Sequence, residues 1–157
     1  LERNASGDIH ARDVRFRVPA SLFAPALDVP SLKLLGSVSG TFSRLVMVDG
    51  LVTEAGGSAQ WSDAGVSGTA EARFSDILAE FATRPDGSIG GTLADDGNGN
   101  LEVNGTFSIA ATGFQAEAFL SARENDPRIL EALRYIGQPQ ADGSSHLLIS
   151  GQLFRLY

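Results

Sequence analysis

The sequence predicts a mainly β domain: a single, strongly curved antiparallel meander with one short helix packed on it near the C-terminal end. Three observations lead there. Short runs of alternating apolar and polar residues are separated by turn signals such as Asp49-Gly50, Pro85-Asp86-Gly87 and Asp142-Gly143. Small residues crowd those runs: the 157-residue chain has 18 glycines, and Ala and Ser recur where a flat sandwich would prefer Val or Ile. A sheet poor in bulk curls tightly and brings its own faces close. Only Asn125 to Gly137 reads cleanly as a helix. The length suits one domain with a sizeable core.

In order, Asp13 to Val18 places Val14, Phe16 and Val18 on one face and Asp13, Arg15 and Arg17 on the other, a half-buried strand that Pro19 ends. Ile9 extends it upstream if Arg12, which falls on the apolar side, sits near its start. Ala20 to Leu27 suggests a helical turn or two, interrupted by Pro25. Ser31 to Val48 is rich in β-formers, and Gly36 and Gly40 mark bulges or bends. Leu51 to Trp61 returns from the Asp49-Gly50 turn, and Gly56-Gly57 suggest a kink. Ala64 to Phe74 reads as a further strand.

Ser75 to Thr83 fits a strand or a helical turn; the turn at Pro85-Asp86-Gly87 and the alternation from Ser88 to Ala94 favour the strand. Asp95 to Asn100 is a longer turn. Leu101 to Ala110 and Phe114 to Ala122 are strands about Thr112-Gly113. In the helix, Asp126 caps, Pro127 suits the first position and Gly137 suits a left-handed stop. Ile129, Leu130, Leu133 and Ile136 share one face, so this short helix must dock on the sheet. Gln138 to Ser144 is a polar loop. His146 to Tyr157 is apolar on both faces, with Leu147, Ile149 and Leu153 against Leu148, Phe154 and Leu156, which predicts a central or covered strand. Roughly eight or nine strands result, joined by short turns.

Composition excludes several functions. The formal net charge of −7 argues against nucleic acid and anionic membrane surfaces as partners. With no cysteine, disulfides, thiolate catalysis and cysteine–zinc sites are ruled out. His10 and His146 are the only histidines, too few for a multi-histidine metal site. No apolar run is long enough to span a bilayer, and no signal peptide is visible. The chain starts at Leu1 rather than Met, so an upstream anchoring or targeting segment is expected to be missing. Leu1-Glu2 is compatible with a cloning scar, which puts the domain at residues 3–157.

Candidate sites are few. Asp96, Asn98 and Asn100 resemble the start of a calcium loop, but Leu101 and Phe107 stand where such a loop needs glycine and glutamate, so a hairpin turn is expected. No pair stands out among the 19 acidic residues, no Gly-x-Ser-x-Gly elbow accompanies either histidine, and Gly87-Ser-Ile-Gly-Gly opens no helix. No enzyme chemistry and no cofactor are expected. Trp61 reads as a core anchor among small neighbours before it reads as a sugar-stacking platform. Arg12, Arg15 and Arg17 form a basic cluster on an acidic chain. It is either an edge-strand guard against aggregation or a docking stripe for an acidic partner.

Several stretches together resemble the protein N family of the bacterial type II (general) secretion pathway. Gly57-Ser-Ala-Gln-Trp61-Ser-Asp-Ala-Gly-Val66 is similar to its tryptophan motif. Asn104-Gly105-Thr-Phe-Ser and Gly113-Phe-Gln-Ala resemble two of its strands. Asp126-Pro127 with Leu130, Leu133 and Gly137 resembles its helix, and Asp142-Gly143 with Ser150-Gly151-Gln-Leu its closing turn and strand. The match covers about Pro19 to Leu153, and its residues are structural glycines, prolines and aromatics.

The resemblance implies an AsmA-like curved sheet in the periplasm, held to the inner membrane by a segment absent from this chain. It implies an accessory component that helps export folded proteins through the outer-membrane secretin. The implied partners are that secretin and the inner-membrane assembly-platform protein M. It carries over no catalytic residue. Two alternatives stand beside this scaffold reading: a lipid-carrying groove, which needs a continuous apolar concave face open to solvent, and a glycan-binding or glycan-cleaving β-module built on Trp61.

Overall fold

A computed structural model describes residues 2–24 and 32–151. In chain order the strands are β1 (Glu2–Arg3), β2 (Ile9–Ala11), β3 (Val14–Pro19), β4 (Leu32–Val48), β5 (Leu51–Gly68), β6 (Ala72–Arg73), β7 (Ile77–Thr83), β8 (Ile89–Asp95), β9 (Leu101–Ala110), β10 (Gly113–Ala122), β11 (Gln138–Pro139) and β12 (Ser145–Gly151), with helix α1 (Pro127–Leu133) between β10 and β11. They form one antiparallel sheet, not closed into a barrel, in the order β1-β2-β4-β5-β7-β8-β9-β10-β12-β11. β3 lies beside β4, and β6 beside β5. Eight strands have six residues or more; the other four are short edge pieces.

The long β4–β5 hairpin is the frame. Asp49 and Gly50 both take positive φ in its two-residue turn, the geometry that suits the twist of the flanking strands. Its arms bend where Gly36 opposes Asp63. There the register slips, with two residues of β5 facing one of β4. Gly36 has φ 83°, and a Cβ there would strike the Ser62 and Asp63 carbonyls. The Trp61 indole N–H donates to the Leu35 carbonyl at 2.6 Å and pins the bend. The expected break between Leu51–Trp61 and Ala64–Phe74 is therefore a bulge within one continuous strand. β5 ends at Gly68, and β6 folds back on Gly65 and Val66.

Registered pairs put the apolar residues on one inner face. One row runs Phe16, Gly40, Ala59, Ala79, Leu93, Gly105, Ala118, Leu147. The next runs Val14, Phe42, Gly57, Phe81, Gly91, Phe107, Ala116, Ile149. In the second row the large rings alternate with glycine across five strands. Phe42 and Phe81 meet over Gly57 with centroids 5.6 Å apart, and Phe81 and Phe107 meet over Gly91 at 6.5 Å. Phe16 adds a contact to Phe42 at 5.3 Å. A Cβ on Gly40 would lie 2.7 Å from the Phe16 ring, and one on Gly91 2.5 Å from the Phe107 ring. The glycines are the space into which the rings lean. β5 and β8, separated by β7, approach within 8 Å at Cα, closer than two flat strand spacings allow.

The buried core lies at one end of this face. α1 presents Ile129, Ala132 and Leu133 to Leu101, Val103, Ala118 and Leu120 on one side and to Leu32, Val66, Ala70 and Ala72 on the other. Ile129 and Leu133 are 1% and 2% exposed. Thus α1 plugs the curl between β10 and β6, strands that the sheet order sets well apart.

Two expectations change. β12 is not central: β11 covers only its first two residues, and Leu148 is 58% exposed. The opening turn is a 3-10 helix at Ala20–Phe23. Pro25, and Leu153, Phe154 and Leu156 of the last strand, lie outside the described residues.

Leu133→Asp puts a charge into this plug and is expected to abolish the cooperative melt and the near-UV dichroism, while Leu133→Ala costs about 2–5 kcal/mol. A folded, partner-deficient Leu133→Asp protein would instead make α1 a recognition element. In the ring row, Gly91→Ala is expected to lower stability by about 1–3 kcal/mol in urea unfolding. Gly56→Ala, whose Cβ meets nothing closer than 3.6 Å, should be neutral or better.

Candidate partner-docking edge

β3 borders the sheet. It pairs with β4 from Val14↔Phe42 to Pro19↔Ser37, and its other side has no partner strand among the described residues. Alternation sets its chemistry. Val14, Phe16 and Val18 turn inward, half-buried, and Arg15 and Arg17 stand exposed on the outer face. Arg17 Nη2 donates to Ser37 Oγ at 3.2 Å and stays over β4, whereas Arg15 extends freely over the polar row of β4. Arg12 is exposed at the break between β2 and β3, where Asp13 takes φ 55°. The structure thus keeps Arg15 and Arg17 on one face and sets Arg12 at the corner.

The other singled-out residues are structural. Gly57 sits under the Phe42 and Phe81 rings, and its Cβ would strike the Thr41 carbonyl. Trp61 is half-buried, its N–H is engaged, and its ring meets Phe74 edge-on at 6.3 Å. Gly113 begins β10, Gly143 lies in the turn before β12, and Gly151 makes room for the Phe114 ring 2.7 Å from its Cβ position. Gly137 (φ 72°) stops the helical segment against the His146 carbonyl, and the Ser145 hydroxyl donates to the Ile136 carbonyl.

The start of α1 is tied to the β8–β9 loop, a link that no spacing in the chain announced. Asp126 accepts from the Arg128 N–H at 3.0 Å and from Asn100 Nδ2 at 2.7 Å. The Asn100 side chain, followed by the Arg128 N–H, holds the Asp126 carboxyl below its ordinary range. Asp95, its side chain 6% exposed, pairs with Arg123 at 2.6 Å and accepts from the Val103 and Gly97 N–H groups. Burial pushes its carboxyl up, but those donors together outweigh it and bring it below the ordinary value of 3.8. The Asp95–Asn100 stretch is thus a structural loop, as expected. Among the described residues no group of three metal-ligating side chains comes together.

The lipid-groove alternative needs an open apolar inner face. That face carries no charge from β3 to β12 in those two rows; its rings lean together across the curl and stay half-buried. Two shallow depressions lie instead over polar parts of the outer face, one by Ser58, Glu80, Thr92 and Thr106 and one by Ser108, Gln115, Glu117 and Ser150.

The model of the family type II secretion system (T2SS), protein N, matches residues 1–147. The chain belongs to the type II secretion system protein N family. It is therefore a component of type II secretion, a machine of the cell envelope. No curated protein and no solved structure matches it. The match takes in the β3 edge, the Trp61 bend and the helix, so the residues that build the curl lie within the region that defines this family. No helix among the described residues is long and apolar enough to cross a membrane.

Asp95 sets an acid limit. Its folded pKa is lowered, so its stabilisation is complete above the unfolded value near 4 and is lost as pH falls through the folded value. Asp95→Asn is expected to cost about 1–3 kcal/mol at pH 7 and to flatten the loss of stability between neutral pH and pH 3, read by urea unfolding. An unchanged pH profile would remove Asp95 from the account.

Proposed function

We propose that this domain is a non-enzymatic, periplasmic scaffold of the type II secretion machinery. A segment upstream of it holds it to the inner membrane, and it links the assembly-platform protein M to the outer-membrane secretin. The curved open sheet with a helical plug is of the AsmA-like kind. The observation that carries the reading is the bare β3 edge with Arg15 and Arg17 beside it. An edge strand offers unpaired N–H and C=O groups, which an extended segment of a partner satisfies by β-augmentation. Arginines at its rim select an acidic partner and speed its encounter, and they stand on a chain of net charge −7.

Replacing Arg12, Arg15 and Arg17 together by alanine leaves the inner face untouched and should leave the melting temperature nearly unchanged. Pull-downs with the periplasmic domains of the secretin and of protein M should then lose at least one partner, and wild-type binding should weaken with salt. Retention of both partners by the triple variant would remove the docking stripe.

A further inference from the structure

The two long edges of the sheet differ in chemistry. β3 is guarded by Arg15 and Arg17 and ends in Pro19, which has no N–H to offer. β12 has no such guard. β11 reaches only Ser145 and His146, so Leu147 to Gly151 pair on the β10 side alone among the described residues. From Gly143 to Phe154 the sequence holds no Asp, Glu, Lys or Arg. On the outer face Leu148 is 58% exposed, and Phe119, diagonal to it on β10, is 56% exposed. His146 does not cover the gap. Its ring stacks on Phe119 with centroids 4.5 Å apart, and its Nε2 lies 2.7 Å from Glu117 Oε1.

An uncharged strand with apolar residues on both faces and a bare edge is the feature that proteins break up with charge, bend away or cover. Here it is neither broken nor bent. We propose that the β12 edge is a second docking surface, which takes an extended, uncharged strand of another protein by β-augmentation. Leu147 and Ile149 border that strand on the inner face and Leu148 on the outer face, so it carries apolar residues on both sides. A second copy of this chain fits poorly. β11 confines two-fold self-pairing to Leu147–Gly151, the β3 edge is a charged and proline-ended mate for head-to-tail pairing, and each copy carries a net charge of −7. The inference deepens the scaffold reading, on which it rests, by giving the sheet a second edge of opposite chemistry.

The test places photo-reactive benzoylphenylalanine at Leu148 of the full-length protein, in cells that carry the whole secretion machine, and sequences the cross-linked peptide. Leu51, 53% exposed at the tip of the β4–β5 hairpin and away from both edges, is the control position. The expected product joins Leu148 to a stretch of another protein that lacks charged residues. It should disappear when the exposed Ser150→Lys substitution puts a guard on the edge. Cross-links to residues 152–157 of the same chain, cross-links to a second copy, or a yield at Leu148 no higher than at Leu51 would each overturn the proposal. The β3 edge is independent: an Arg12, Arg15 and Arg17 variant that loses its partners but keeps the Leu148 product counts against neither edge. A Leu148 product with a protein outside the secretion machine supports the edge and overturns the scaffold reading.

Discussion

The curl of this sheet depends on the room that glycines leave for phenylalanine rings. Phe42, Phe81 and Phe107 lie on one row of the inner face, and between them the row holds Gly57 and Gly91. Neighbouring strands are about 4.8 Å apart, so rings on alternate strands start well separated and touch only if the sheet bends or the rings tilt. Both require that the strand between them have no side chain. With Ala or Val there the rings would stand upright and the sheet would flatten. Bulk is thus placed on every second strand, and the inner face closes on itself by aromatic contact rather than by a second sheet.

Those contacts alone leave the inner face half-covered, because the curl narrows without sealing. At one end of the face the cover comes from α1, whose Ile129, Ala132 and Leu133 are among the most deeply buried apolar side chains. It is short for an independent helix, and its stability comes from docking and from its capped start. Asp126 caps it and also accepts from Asn100, while Arg123, one turn earlier, reaches Asp95 and the Gly99 carbonyl. The helix is therefore fastened to the β8–β9 loop before its apolar face engages β6 and β10. A cap, a loop and a salt bridge together set where the plug sits.

Much of this was legible in the sequence. Asp126-Pro127 marked the start of the helix, Gly137 took its left-handed conformation but past the helix end at Leu133, the Asp-Gly pairs located hairpin turns, and the alternation about Phe16 placed Arg15 and Arg17 outside. The misses share a cause. Asp63 looked like a turn residue and takes a left-handed conformation, but within a bulge, because the β4 partner supplies Gly36 opposite it. The last strand looked central because both its faces are apolar; the rule behind that expectation assumes that every apolar face finds cover within the chain, and Leu148 does not. The ring–glycine pairing was out of reach because it is a property of register. Phe81 is far in sequence from both Gly57 and Gly91, and nothing local aligns them. The docking stripe was half legible: spacing gave the shared face of Arg15 and Arg17, and only the break at Asp13 moved Arg12 to the corner.

A closed barrel would have solved the same packing problem in another way. Joining the first and last strands covers the inner face and leaves no edge to pair with. Here the helix covers one end of the inner face, the sheet is not closed, and among the described residues β3 and most of β12 have no second partner strand. That choice carries a hazard, since bare edges invite aggregation, and the chain meets it unevenly: arginines and a proline stand at β3, whereas β12 has none. A protein that worked alone would gain from guarding both. On the scaffold proposal, an uneven guard suits a sheet that works inside an assembly, with one edge offered to an acidic partner and the other to an uncharged strand. The open curl, the plug and the two unlike edges then follow from one requirement, a rigid sheet that can be extended from either side.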